Sequence, residues 1–158
     1  MSEVTIQEAA GSDAGEVAAM VGELLTEIMQ ATGVRAFNFD HEETVSRLRR
    51  FMDGGKYFVF LARNGAGEAV GFVALYESYA LYAEGAFGTI AELYVRPGER
   101  SNKVGSSLVA RAVAFGRERG WTRLEVTTPP LPPFERTLAF YEREGFAITG
   151  GRKLKRLL

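Results

Sequence analysis

The stretch from Thr89 to Thr127 limits the architecture of this chain more than any other. Thr89–Val95 alternates like a strand, and Pro97 with Gly98 ends it. Val104, Leu108, Ala112 and Phe115 then recur at helical spacing, Gly120 closes that helix, and Leu124–Thr127 reads as a further short strand. A strand, helix, strand succession of this length joins its strands in parallel through a right-handed crossover. Only one such unit is evident and paired strands precede it, so the sheet is mixed. A doubly wound dinucleotide fold is excluded.

Upstream, Val4–Glu8 is a short strand. Ser12 or Asp13 can cap the helix that follows, because either side chain accepts a backbone N–H. Val17, Met20, Val21, Leu24, Leu25 and Ile28 form one apolar face of that helix, which Gly33 ends. A second helix starts near Asp40, turns Val45, Leu48, Phe51 and Met52 inward, and stops at Gly54-Gly55. Tyr57–Ala62 is continuously apolar, as expected of a strand buried on both faces. Asn64-Gly65-Ala66-Gly67 is a hairpin loop and Ala69–Tyr79 the returning strand. On the third strand, side-chain alternation puts Ile90, Glu92 and Tyr94 on one face.

After the crossover, residues 128–133 form a stiff proline-rich loop, and Phe134–Glu144 is a last helix stopped by Gly145. Phe146–Thr149 and Arg152–Leu157 are expected to be two closing strands. The order is β-α-α-β-β-β-α-β-α-β-β. It predicts a mixed α/β fold with a central, mostly antiparallel sheet, helices on both faces and one βαβ crossover. No repeat or linker interrupts the 158 residues, so a single domain over 1–158 is expected.

Composition removes several classes of function. There is no cysteine, which excludes disulfides, thiolate-bound metals and a cysteine acyl-enzyme, and which suits a reducing, cytoplasmic setting. His41 is the only histidine and sits at a helix start, so no metal cluster forms around it and a surface role is expected. A net charge of −1 gives no footing for nucleic acid or a polybasic membrane surface. Met1-Ser2-Glu3-Val4 lacks a basic region and an apolar run, and Glu23 and Glu27 interrupt the apolar stretch from Val17 to Ile28, so no leader or membrane span is expected. Arg152, Lys153, Lys155 and Arg156 read as a solvated edge strand.

Chemistry is expected between Ile90 and Leu108. The amides that open the helix after Arg100-Ser101-Asn102-Lys103-Val104-Gly105-Ser106-Ser107 have no intrahelical partners and lie at the positive end of the helix dipole, which suits phosphate. Neither a G-x-x-x-x-G-K-[ST] loop nor a G-x-G-x-x-G turn is present, and Ser106 and Ser107 lack a G-x-S-x-G elbow or a nearby histidine. The serines are therefore assigned to phosphate contact or to plain helix initiation. Arg100-x-x-Lys103-x-Gly105 resembles the [Q/R]-x-x-G-x-[G/A] element of the GNAT superfamily of N-acetyltransferases, and Ala91–Pro97 looks like that family's preceding strand. Leu138-Ala139-Phe140-Tyr141-Glu142-x-x-Gly145-Phe146 is similar to the family's terminal A-x-x-F-Y-x-x-x-G-F.

The resemblance implies acetyl-CoA as cosubstrate, with no metal, and an amine on a small molecule or a protein as acceptor. The pyrophosphate would rest on the amides of Asn102 to Ser107, together with Arg100 and Ser101, and the pantetheine along Leu93, Tyr94 and Val95. Tyr141 would protonate the leaving thiolate; as plain packing, its hydroxyl would still need a partner. Glu92 either takes the amine proton, directly or through a water, or pairs with a nearby arginine or solvent. Phe37, Phe39, Tyr76, Tyr79, Tyr82 and Phe87 are candidate walls of an acceptor pocket. Lys103 departs from the family's glycine, and the turn there is expected to keep φ below zero. Absent cysteine and activated serine, transfer is expected to be direct. The rival reading is a CoA-binding sensor without turnover. A homodimer is compatible with either.

Overall fold

The computed structural model describes residues 3–158, except for the side chain of Ser101. The chain forms two compact units, one ending at Thr127 and the other spanning Thr128–Leu158. The first contains strands β1 (Thr5–Glu8), β2 (Tyr57–Arg63), β3 (Ala69–Ala80), β4 (Gly85–Val95) and β5 (Leu124–Val126), with helices α1 (Ala14–Thr32), α2 (His41–Asp53) and α3 (Val104–Glu118). The strands form one five-stranded sheet in chain order. All pairs are antiparallel except β4 with β5, the product of the α3 crossover.

Each face of the sheet carries its own core. Val59, Leu61, Phe72, Ala74 and Tyr94 pack against Val17 and Met20 of α1 and Leu48 of α2. On the opposite face Phe58 and Phe60 meet Phe115 of α3 at ring-centroid distances of 4.9 and 5.2 Å. Leu108, Val109 and Ala112 are buried on that same helix. Burying both faces explains why β2 is apolar without alternation.

Two local expectations are refined. Asp40 caps α2, its Oδ1 accepting the Glu43 amide at 2.9 Å. Asp13 precedes α1 but does not cap it; its carboxylate accepts the Ala10 amide at 2.8 Å and pairs with Arg63 at 2.9 Å. An ion pair to the end of β2 has taken over the side chain that local sequence would give to the helix start.

The second unit contains α4 (Glu135–Arg143) after the proline-rich loop. The two closing strands do not form: residues 147–158 are exposed and have no regular secondary structure. Their alternation is that of a strand, but a strand exists only where a neighbour supplies a ladder. Arg152, Lys153, Lys155 and Arg156 thus lie on exposed chain and not on an edge strand.

Where β4 meets β5, Gly88 pairs with Leu124, and a Cβ at Gly88 would fall 2.3 Å from the Trp121 ring and 2.7 Å from Leu124. Trp121 is itself held edge-on against Phe115 at 5.4 Å. Gly88→Ala is expected to cost roughly 1–3 kcal/mol, as overpacking does. Urea unfolding measures this, and unchanged stability would show that the tryptophan is free to move aside.

Candidate active site

The site grows from an irregularity in β4. Glu92 pairs with Ala74, but the next partners are Ile90 and Leu75, so Ala91 is an extra residue opposite a single step of β3. The bulge breaks the alternation expected for this strand. Ile90 lies opposite Leu75, which lies opposite Phe58, and so belongs to the α3 face. Glu92 lies opposite Ala74, and Tyr94 opposite Phe72, on the face covered by α1 and α2. Ile90, Glu92 and Tyr94 therefore do not share a face.

Glu92 is half-buried on that second face. Its Oε1 accepts a hydrogen bond from the Tyr57 hydroxyl at 2.5 Å. The Tyr57 ring stacks on Tyr76 at 6.4 Å and is tilted against Phe51 at 5.5 Å. Burial holds the Glu92 carboxyl above the ordinary glutamate range, while the Tyr57 bond favours the ionised form and offsets part of that rise. Such a carboxylate is a better base at neutral pH than an exposed one. No signal within a single segment marks Tyr57 as its partner, because the two residues meet only through strand register.

The bulge also ends the pairing of β4 with β5, which reaches Ile90 and no farther. The Arg96 amide donates to the Val70 carbonyl at 2.8 Å. By alternation the polar backbone of Tyr94 turns toward β3, and that of Leu93 and Val95 toward the outer edge. The Val95 carbonyl accepts from Arg100 Nε at 2.8 Å. Of the three residues expected to form this edge, Leu93 and Val95 supply it. Tyr94 instead buries its ring in the core and places its hydroxyl 3.3 Å from Glu23.

Beyond β4 the chain makes a 3-10 turn, Pro97–Asn102, and enters α3. Lys103 precedes the helix with φ 58° and ψ 25°. The expected negative φ is thus corrected: lysine takes the left-handed conformation for which the family uses glycine, at a cost of roughly 1–2 kcal/mol. Ser107 makes the first helical bond, back to the Lys103 carbonyl at 3.1 Å, so the Val104 and Gly105 amides precede the ladder. Val104 is buried, whereas Asn102, Lys103 and Ser107 are exposed. Arg100 also pairs with Glu27 of α1 at 2.7 Å, and Asn102 bonds Glu99 at 2.9 Å.

Tyr141 belongs to the second unit. The φ of 97° at Gly145 reverses the chain after α4, and the Phe146 amide returns to the Tyr141 carbonyl at 3.0 Å. Phe146 and Phe140 then meet the Tyr141 ring edge-on at 5.4 and 5.3 Å. The Phe-Tyr-x-x-x-Gly-Phe pattern therefore encodes a helix cap that fixes this ring. Burial raises the Tyr141 hydroxyl above the ordinary tyrosine range, so it keeps its proton at neutral pH.

Among the other aromatics expected near an acceptor, Tyr76 adjoins Glu92 through Tyr57. Phe39 lies over Gly22 and borders a groove of about 640 Å³ with Glu23, Glu27 and Arg100; Phe37 lines its neighbour. Phe87 is buried, and Tyr79 and Tyr82 project into solvent at 75% and 78% exposure. His41 is exposed on the first turn of α2. No cluster of metal-ligating side chains is found among the described residues.

The sheet thus separates after the β4 bulge, and the chain leads from there into the start of α3. A model of the acetyltransferase (GNAT) family matches residues 21–146, and the chain belongs to that family. It is 36% identical to the streptothricin acetyltransferase of Streptomyces lavendulae over 95 residues, 58% of this chain and 45% of that protein. It is 33% identical to the aminoalkylphosphonate N-acetyltransferase of Salmonella typhimurium over 108 residues, 67% of this chain and 66% of that protein. The matches thus span 45% and 66% of those relatives' lengths. An integron cassette protein from the mobile metagenome of Cole Harbour Salt Marsh shares the fold, with a TM-score of 0.80 and 20% identity over 97% of this chain and 90% of that one.

Lys103→Gly tests the helix start. It removes a left-handed penalty of roughly 1–2 kcal/mol and adds a glycine entropy cost of roughly 0.5–1 kcal/mol. Urea unfolding should show a net gain of up to about 1.5 kcal/mol. A loss would mean that the lysine side chain contributes more than its backbone costs.

Proposed function

We propose that this protein is an N-acetyltransferase that moves acetyl from acetyl-CoA directly to a primary amine of a small molecule. The observation that carries the reading is the Ala91 bulge, which sets a desolvated carboxylate beside the point where β4 parts from β5. The residues fit acetyl-CoA chemically. Leu93 offers its outward backbone groups, and Val95 its outward amide, of the kind a pantetheine amide pairs with, as an added strand would. Val104 and Gly105 offer amides at a helix start, followed by Ser106 and Ser107, and Lys103 adds a cation for phosphate. Arg100, Ser101 and Asn102 form the turn that leads into them.

Acetyl-CoA would supply an activated acetyl group. The protein's own residues would manage two protons. Glu92 accepts one from the acceptor ammonium, freeing the nitrogen lone pair for attack on the acetyl carbonyl. Tyr141 donates one to the sulfur as the carbon–sulfur bond breaks, and the second proton that the attacking nitrogen sheds as the amide forms restores the tyrosine hydroxyl. Amines with pKa near ~10 are mostly protonated at neutral pH, so a base of raised pKa has a clear task. The Tyr141 role rests on the terminal motif, and a hydroxyl that burial keeps protonated supports it. The names of the two relatives favour small amine-bearing acceptors over protein lysines. The reading takes residues 1–158 as one acyltransferase domain working in the cytoplasm.

Thiol release from acetyl-CoA across an amine panel that includes 2-aminoethylphosphonate tests this. Turnover is expected with at least one amine, and Tyr141→Phe should lower it roughly 10²–10⁴-fold with donor affinity kept. Acetyl-CoA should raise the melting temperature, as any ligand of the folded form does. Donor binding without turnover on any amine would favour the sensor reading. No binding at saturating acetyl-CoA would overturn both.

A further inference from the structure

We propose that Tyr57 is a positioning residue: its hydroxyl fixes Glu92 Oε1, leaving Oε2 to receive the acceptor's proton. This rests on reading Glu92 as the base. Tyr57 opens β2 and lies opposite Tyr76, while Glu92 lies opposite Ala74 on the other side of β3. The two side chains therefore meet diagonally across β3, over Ala74. Ala74, with its small side chain, is 1% exposed on that face. The 2.5 Å bond is the short, charge-assisted kind that a carboxylate accepts from a phenol.

The ring has little freedom. Phe51 of α2 and Tyr76 of β3 hold it at 5.5 and 6.4 Å. Packing of this kind keeps a supporting residue in one rotamer, so that the group it supports keeps its aim. Tyr57 stays protonated throughout, because burial and the neighbouring Glu92 charge both raise its own pKa. It therefore gives Glu92 a hydrogen bond and no proton. The proton that Glu92 takes comes from the acceptor ammonium.

The surroundings leave Tyr57 as the group that tunes this carboxylate. On α1, Glu23 pairs with Arg96 at 2.9 Å and Glu27 with Arg100 at 2.7 Å. On β4 itself, Tyr94 turns its hydroxyl to Glu23. On β3, Tyr76 stacks on Tyr57, and Glu77 accepts from Trp121 and Arg119 on the opposite face. On β5, Glu125 pairs with Arg123 at 3.1 Å. The charged side chains of α2 are exposed. Burial raises the Glu92 pKa and the Tyr57 bond lowers it, so removing the hydroxyl should raise it further.

The test compares wild type, Tyr57→Phe, Glu92→Gln and the double variant. Phenylalanine keeps the ring and its stacking, so folding is retained. Carboxyl ¹³C NMR of the glutamate-labelled protein reads the Glu92 titration without substrate, with Glu92→Gln assigning the signal. In Tyr57→Phe that titration should move up by roughly one to two pH units, as loss of a hydrogen bond to a charged group does. With the amine that the thiol-release panel selects, the acid limb of kcat/KM should move up by the same amount. The rate near pH 7 should fall and recover at high pH, while the KM for acetyl-CoA stays unchanged. In the Glu92→Gln background, Tyr57→Phe should move nothing further. An unmoved Glu92 titration in Tyr57→Phe would overturn the proposal and leave Glu92 as the base. A moved titration with an unmoved rate profile would also overturn it. A Glu92→Gln profile identical to wild type would show instead that Glu92 itself is not the base.

Discussion

One extra residue, Ala91, decides how the β4 side chains and backbone are used. Were Ala91 paired in regular register, Glu92 would share the face of Ile90 and β4 could continue its ladder with β5. With the bulge, Ile90 stays in the α3 core, Glu92 turns to the α1 and α2 face, and pairing with β5 stops at Ile90. Bulges commonly re-aim a side chain or end a pairing next to a functional site, and this one does both. The carboxylate and the open edge of Leu93 and Val95 are two results of one irregularity, and so they lie within a few residues of each other.

The end of β4 is fastened by several modest interactions. Arg96 reaches Glu23 at 2.9 Å and the Ala69 carbonyl at 2.8 Å. Arg100 bridges the Val95 carbonyl and Glu27. Partly exposed ion pairs contribute only about 0–1 kcal/mol each, so their importance lies in geometry. They tie α1 to the turn that leads into α3, and thereby set where the helix-start amides lie relative to the strand edge. Lys103 completes that turn in a conformation lysine disfavours, and such local strain persists where the surrounding structure over-determines the backbone.

Much of this was legible in the residues. The helical spacing of Val104, Leu108, Ala112 and Phe115 between Pro97 and Gly120 located α3 at its observed start, and the crossover rule made β5 parallel to β4. The two motifs located the helix-start amides and Tyr141. What stayed hidden depends on pairing across strands. The Ala91 bulge is a mismatch between two strands, and nothing within Thr89–Val95 marks it. Tyr57 and Glu92 are 35 positions apart and meet only through the register of β2, β3 and β4. The terminal residues alternate like strands, yet a ladder needs a neighbour that local sequence cannot supply. Lys103 shows the reverse limit, since tertiary context overrode a clear local preference.

The central claim is that the β4 edge and the α3 start together form the donor site. Amide NMR of the ¹⁵N-labelled protein during an acetyl-CoA titration tests it most directly. The largest saturable shifts are predicted at Leu93, Val95, Val104 and Gly105, with smaller changes at Lys103 and Ser107. Saturable binding that leaves these amides unmoved and perturbs another surface would contradict the account.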